Sequence, residues 1–188
     1  MRKVVLYTLM SLDGAVDEPA LYFSPDVGSG PPQFDPEMDA GEAEVIDTQD
    51  TVLLGRRMYD EWVRFWPALV DQPFADFINR VKKYVVTSSP LTHEWHNAEV
   101  ATGPLEELVG ELKARPGGDI GVHGSIELAQ SLLAADLVDE VRLVVAPAYG
   151  FGGRRLFDGA DGIRRLELVS SQPTSTGSLL LTYRARGR

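Results

Sequence analysis

The sequence predicts an α/β domain of three layers: a mixed, mostly parallel sheet with helices on both faces, ending in an antiparallel strand pair. Three observations predict it. Short, largely apolar runs at Val4–Met10, Asp50–Leu54, Tyr84–Thr87, Ile120–Val122 and Val141–Val145 have strand length, as strands buried on both faces do. The stretches between them show the 3.6-residue period of amphipathic helices. The last two runs, Leu166–Ser170 and Ser178–Tyr183, are joined by the turn-rich Ser171–Gly177 rather than by a helix, so they pair antiparallel.

In order, Val4–Met10 is the first strand, and Ser11-Leu12-Asp13-Gly14 turns out of it. Asp17–Pro36 carries five prolines and little periodicity, which predicts a long ordered loop or flap. A helix over Glu37–Gln49 places Met38, Val45 and Ile46 inward and its acids outward. The strand Asp50–Leu54 follows, then Gly55-Arg56-Arg57 and an aromatic-rich helix over Met58–Trp66. Phe74, Phe77, Ile78 and Val81 lie at i, i+3, i+4 and i+7, which predicts a helix over Pro73–Lys83. After the strand at Tyr84–Thr87 come a loop over Leu91–Ala98 and a short strand at Glu99–Ala101. A helix then opens near Thr102–Pro104 with Leu105, Leu108, Val109 and Leu112 on its apolar face. Asp119–Pro147 is a βαβ unit: an apolar run, the break His123-Gly124-Ser125, a helix with Ile126, Ala129, Leu132 and Leu133 on one face, and a second apolar run. Ser125 is placed to cap that helix. Tyr149–Gly162 is glycine-rich loop with a short turn at Leu156-Phe157.

Length and composition set limits. At 188 residues, one domain spanning 1–188 has room for a sizeable core. A formal net charge of −10 argues against a nucleic-acid partner. The absence of cysteine excludes disulfides, thiolate catalysis and thiolate metal sites. His93, His96 and His123 have no spacing that suggests a metal site. No apolar run has membrane-span length, and MRKVVLYTLM reads as a strand rather than a signal peptide, so a cytoplasmic protein is expected.

Three turns carry the chemical signal. Gly55-Arg56-Arg57 offers close backbone approach and two guanidiniums. Thr87-Ser88-Ser89 offers three hydroxyls, and Gly124-Ser125 a helix start whose N–H groups favour anions. If their strands are parallel neighbours, all three face one crevice beyond the strand ends, which suits the phosphates of a dinucleotide. No G-x-G-x-x-G follows the first strand, so a Rossmann site is not indicated.

Together with Ser11-Leu12-Asp13-Gly14, Leu53–Asp60, Val85–Ser88, His123-Gly124-Ser125, Leu133–Val145, Pro147 and Gly150–Phe157, these pieces resemble the dihydrofolate reductase-like superfamily. Within it the chain is most similar to the C-terminal reductase domain of the riboflavin-biosynthesis deaminase/reductase and its stand-alone relatives. The resemblance implies NADPH. Gly55, Arg56 and Arg57 would hold its phosphates, Thr87 and Ser88 would lie by the adenosine-ribose phosphate, and Gly124, Ser125, Ile126 and Glu127 would wrap the pyrophosphate. Leu9 through Gly14 would border the nicotinamide. The family often has threonine where Met58 stands, near nicotinamide and substrate, and dihydrofolate reductases have a glycine at Ser125 beside a cis peptide.

In such a reductase a carboxylate supplies or relays a proton. Family resemblance puts it on the helix before the Gly-Arg strand, where Asp39 has the right offset and Glu42 lies one turn on. Asp13 is a second candidate, and equally an Asp-Gly turn residue. Trp62, Phe65 and Trp66 either wall a flat heterocycle or join the core. The implied protein is a homodimeric NADPH-dependent reductase of a flat pyrimidine- or pteridine-like substrate, of the aminouracil type. A folate or pteridine reductase and a non-catalytic NADP-binding protein are the alternatives.

Overall fold

The computed structural model describes residues 1–24, 32–150 and 152–185; residues 25–31 of the expected flap lie outside them. The chain opens with β1 (Val4–Ser11), a short helix α1 (Ala20–Phe23), α2 (Pro36–Asp47), β2 (Gln49–Gly55) and α3 (Arg56–Trp62). A 3-10 turn at Trp66–Ala68 leads to α4 (Pro73–Arg80), β3 (Lys82–Val86) and β4 (Ala98–Ala101). There follow α5 (Leu105–Ala114), β5 (Asp119–His123), α6 (Ile126–Ala134), β6 (Glu140–Ala146), β7 (Leu166–Pro173) and β8 (Leu179–Ala185).

The strands form one sheet in the order β4-β3-β2-β5-β1-β6-β8-β7. From β4 to β6 every pairing is parallel, while β8 runs antiparallel to both β6 and β7. Side chains alternate along each strand, so one strand feeds two cores. On β1, Val4 and Leu6 pack with α5 and α6, whereas Val5 and Tyr7 pack with α1 and α2. On β2, Leu53 joins the α5–α6 side and Val52 and Leu54 meet α3 and α4. This two-sided burial is why the sheet runs are apolar without alternation.

Three local contacts differ from expectation, each for a physical reason. α4 stops at Arg80, because Lys83 belongs to β3 and its buried Nζ donates to the Ile78 and Val81 carbonyls at 2.7 and 2.8 Å. That ammonium also lies 4.6 Å from the Trp95 ring centroid, so the helix end and a cation–π contact absorb its charge. The helix after Gly55 begins at Arg56 itself and ends at Trp62, short of the expected Trp66. Pro104 is the residue preceding α5 rather than part of its first turn.

The helix facing the site is tied down at its start. Asp35 caps α2 by accepting from the Met38 N–H at 2.8 Å, and its other oxygen accepts from the Thr176 hydroxyl at 2.6 Å. Ser175 donates to Glu37 at 2.8 Å. The β7–β8 turn thereby fixes the register of α2 against the sheet.

Candidate functional site

The parallel order β3-β2-β5-β1 sets the exits of four strands side by side. Over them lies a cavity of about 1520 Å³, bounded by α2, α3, α4 and the start of α6. That exceeds the usual volume of a drug-sized pocket, roughly 300–1,000 Å³, and leaves room for a dinucleotide beside a second molecule.

The outer part is built from two of the three turns. The Gly55 N–H donates to Ser125 Oγ at 3.0 Å, which joins the exits of β2 and β5. Ser125 therefore does not cap α6 as expected: its hydroxyl serves the neighbouring strand, and α6 starts with no side-chain cap. The first-turn N–H groups of a helix lack intrahelical partners and favour an anion. Gly124 sits at φ +67°, where a β-carbon would come within 2.9 Å of Met58 Cε. The Gly124–Ser125 peptide is trans, as are the others among the described residues.

Arg56 is a strut. Its Nε donates to Asp60 at 2.8 Å and its Nη1 to the Pro90 carbonyl at 2.8 Å, linking the β2 and β3 exits. Arg57 is exposed and held only by Glu61 at 3.1 Å among the described residues. Thr87 and Ser88 line an adjoining hollow of about 180 Å³ rather than the main cavity, with Val86 common to both. Leu9, Met58, Ile126 and Glu127 lie on the main wall.

Asp13 and Gly14 do not lie on that wall. Asp13 accepts from Ser11 Oγ at 2.7 Å, from the Gly150 N–H and from Arg155. These bonds, the Ser11 one foremost, hold its carboxyl below the usual range, and it acts as a fastener between two loops. Gly14, at φ +89°, completes the same turn.

The inner part is framed by Tyr7, Asp39, Glu42, His123 and an aromatic row of Phe74, Trp62 and Trp66. Phe74 lies 5.7 Å from Trp62 and 5.4 Å from His123, centroid to centroid. Glu42 is half-buried where Asp39 is exposed. Burial, followed by the nearby Asp39 charge, pushes the Glu42 carboxyl up from 4.5 to about 7. The helix-face acids are thus not all outward, and Glu42 is the one suited to exchange a proton near neutrality. His123 is held neutral, its pKa pushed down to about 4 by burial. Its Nε2 meets Gln49 Oε1 at 2.8 Å. Gly121 makes that contact feasible: a β-carbon there would lie 2.0 Å from Gln49 Oε1.

Among the described residues, five buried side-chain polar atoms have no hydrogen-bond partner: Tyr7 Oη, Gln49 Nε2, Asp60 Oδ1, Trp66 Nε1 and His123 Nδ1. Tyr7, Asp60, Trp66 and His123 belong to the cavity wall, and Gln49 is bonded to His123. Leaving a buried donor or acceptor unpaired costs about 1–3 kcal/mol each. Their collection around the cavity sets this region apart among the described residues.

Tyr7 lies inside an apolar run and carries no signal in the sequence, and His123 is considered there only as a metal ligand. Sequence reasoning also missed the ion pair of Asp17 and Arg154 on the cavity rim, at 2.8 Å, with Glu127 a further 3.5 Å partner of Arg154. Those two lie 137 residues apart and nothing local signals the pairing.

The RibD C-terminal domain model matches residues 2–180. The chain belongs to the RibD C-terminal domain family. The Bacillus subtilis protein named "Uncharacterized protein YyaP" is 28% identical over 158 residues, 82% of each chain. A pyrimidine reductase-like protein of Corynebacterium diphtheriae superposes with a TM-score of 0.70 at 13% identity, over 100% of this chain and 93% of that one. The dihydrofolate reductase of Enterococcus faecalis, in complex with NADP(H), superposes with a TM-score of 0.62 at 14% identity, over 98% and 97%. At these identities the two structures show the fold, which is dihydrofolate reductase-like.

Proposed function

We propose that this RibD-family chain is an NADPH-dependent reductase that transfers hydride to a flat pyrimidine- or pteridine-like substrate, of the 5-amino-6-(5-phosphoribosylamino)uracil reductase type. The observation that carries the reading is the convergence of the unpaired polar atoms on one large cavity at the strand exits. The outer part fits a dinucleotide. It has an uncapped helix start at Ile126, a backbone cradle at Gly124 and Gly55, and an exposed guanidinium at Arg57. Thr87 and Ser88 border the neighbouring hollow, where a ribose phosphate would reach past Val86. Bound there, NADPH supplies the hydride.

The chain's own residues do the rest. Leu9 and Met58 border the ring-binding space, and Met58 covers Gly124 without offering a hydrogen bond. Phe74 and Trp62 present flat faces to a planar acceptor. Glu42, rather than Asp39 or Asp13, holds the proton that the substrate takes up on reduction.

Fluorescence titration with NADPH and with NADH tests this. Saturable binding is expected, with NADPH the tighter. Arg57→Ala should cost NADPH about tenfold, since one charge-assisted bond is worth about 1.5–3 kcal/mol. Absence of saturable NADPH binding would remove the reading.

A further inference from the structure

Tyr7 and His123 stand opposite each other in register on β1 and β5, on the same face of the sheet. Their rings lie 5.7 Å apart. Tyr7 is 6% and His123 2% exposed, and each carries an unpaired polar atom. The two atoms differ in kind. His123 is neutral, and with Nε2–H donated to Gln49 Oε1 its Nδ1 offers a lone pair. Tyr7 offers an O–H. An acceptor beside a donor is the complement of a ring edge with N–H beside C=O.

Three features show that this edge is built. Gly121, directly beneath, leaves space that Gln49 fills to hold His123, where any β-carbon would overlap it. Phe74 and Phe77 pack on the imidazole at 5.4 and 6.0 Å and fix its plane. Asp39 and Glu42 stand nearby on α2, so a phosphate or carboxylate is disfavoured at this end.

We infer that Tyr7 and His123 determine the acceptor by reading a lactam edge of its ring, with N–H donated to His123 Nδ1 and C=O accepting from Tyr7 Oη, and that Gln49 and Gly121 set the imidazole for that task. This rests on the reductase reading of the cavity. It adds that fully aminated pyrimidines, which lack the lactam, are refused.

The test is a ligand-observed NMR titration of 5,6-diaminouracil, its 1,3-dimethyl derivative and 2,4,6-triaminopyrimidine, with and without NADPH. Diaminouracil should bind, and the other two should bind about tenfold more weakly or worse. Tyr7→Phe should weaken diaminouracil by about fivefold or more while leaving NADPH affinity within about twofold. Because the hydroxyl it removes has no partner in the fold, its melting temperature should stay level or rise. His123→Leu should behave like Tyr7→Phe toward the ligand. His123→Asn, which keeps a polar atom near the Nδ1 position, should recover part of the loss. Equal binding of the 1,3-dimethyl compound, or undiminished diaminouracil binding by Tyr7→Phe, would overturn the inference. So would failure of diaminouracil to bind a protein that takes up NADPH. Failure of NADPH itself to bind would instead strike the reductase reading, and the titrations without NADPH would still judge the lactam edge.

Discussion

Replacing Glu42 with glutamine gives a measurement whose size follows from the structure. Burial, then the Asp39 charge, moves the folded-state pKa of Glu42 from 4.5 to about 7. Between those values the folded protein keeps a proton that the unfolded chain has released, so stability falls as pH rises through the window. At about 1.4 kcal/mol per pH unit, the full displacement corresponds to about 3 kcal/mol, and partial solvent contact makes that an upper figure. Urea unfolding of wild type and Glu42→Gln, at about pH 5 and about pH 8, reads it. Relative to the variant, wild type should lose up to about 3 kcal/mol on going to the higher pH. In Asp39→Asn the window should narrow from its upper end, since a like charge is gone. Turnover of Glu42→Gln should fall about 100-fold or more with NADPH affinity unchanged. Parallel pH–stability curves for wild type and Glu42→Gln would refute the reasoning, for they would mean the carboxyl is not held in a desolvated place.

Other perturbations follow from particular contacts. Asp35→Ala should destabilise by about 2 kcal/mol in thermal melts, because it removes the α2 cap and its tie to Thr176. Although burial opposes it, hydrogen bonds led by Thr174 and Thr176 hold the Asp35 carboxyl at about 2. Its contribution is therefore complete above about pH 4 and lost as pH falls toward 2. Lys83→Met should cost about 2–3 kcal/mol by leaving the α4 carbonyls unpaired, a loss visible as a lower urea midpoint. Gly121→Ala should break the Gln49–His123 contact. Histidine ¹⁵N spectra should then lose the fixed Nε2–H tautomer, and an unchanged spectrum would contradict the packing described.

The strands were legible because each run serves two cores and so carries little polar interruption. The sequence placed the Gly55, Thr87 and Gly124 turns at strand exits but left their parallel neighbourhood as a condition, which the sheet order meets. Lys83 was misread because a lysine at the end of an amphipathic stripe resembles a solvated helix end. Only the folded chain places its ammonium over Trp95. Ser125 was assigned to the helix it precedes, whereas its partner, Gly55, is 70 residues away. Glu42 and Asp39 occupy one helix and differ only in tilt toward the cavity, which spacing from Gly55 does not encode. Tyr7 looked like one more apolar strand residue, and its unpaired hydroxyl is a property of what surrounds it.

One groove holding two ligands end to end can be seen in a crystal grown with NADPH. The pyrophosphate should lie at the start of α6 between Gly55 and Gly124 and the nicotinamide against Leu9, with the space bounded by Tyr7, Glu42 and His123 left for the acceptor. Nicotinamide buried against His123 and Tyr7, or nucleotide bound away from the exits of β2 and β5, would contradict it.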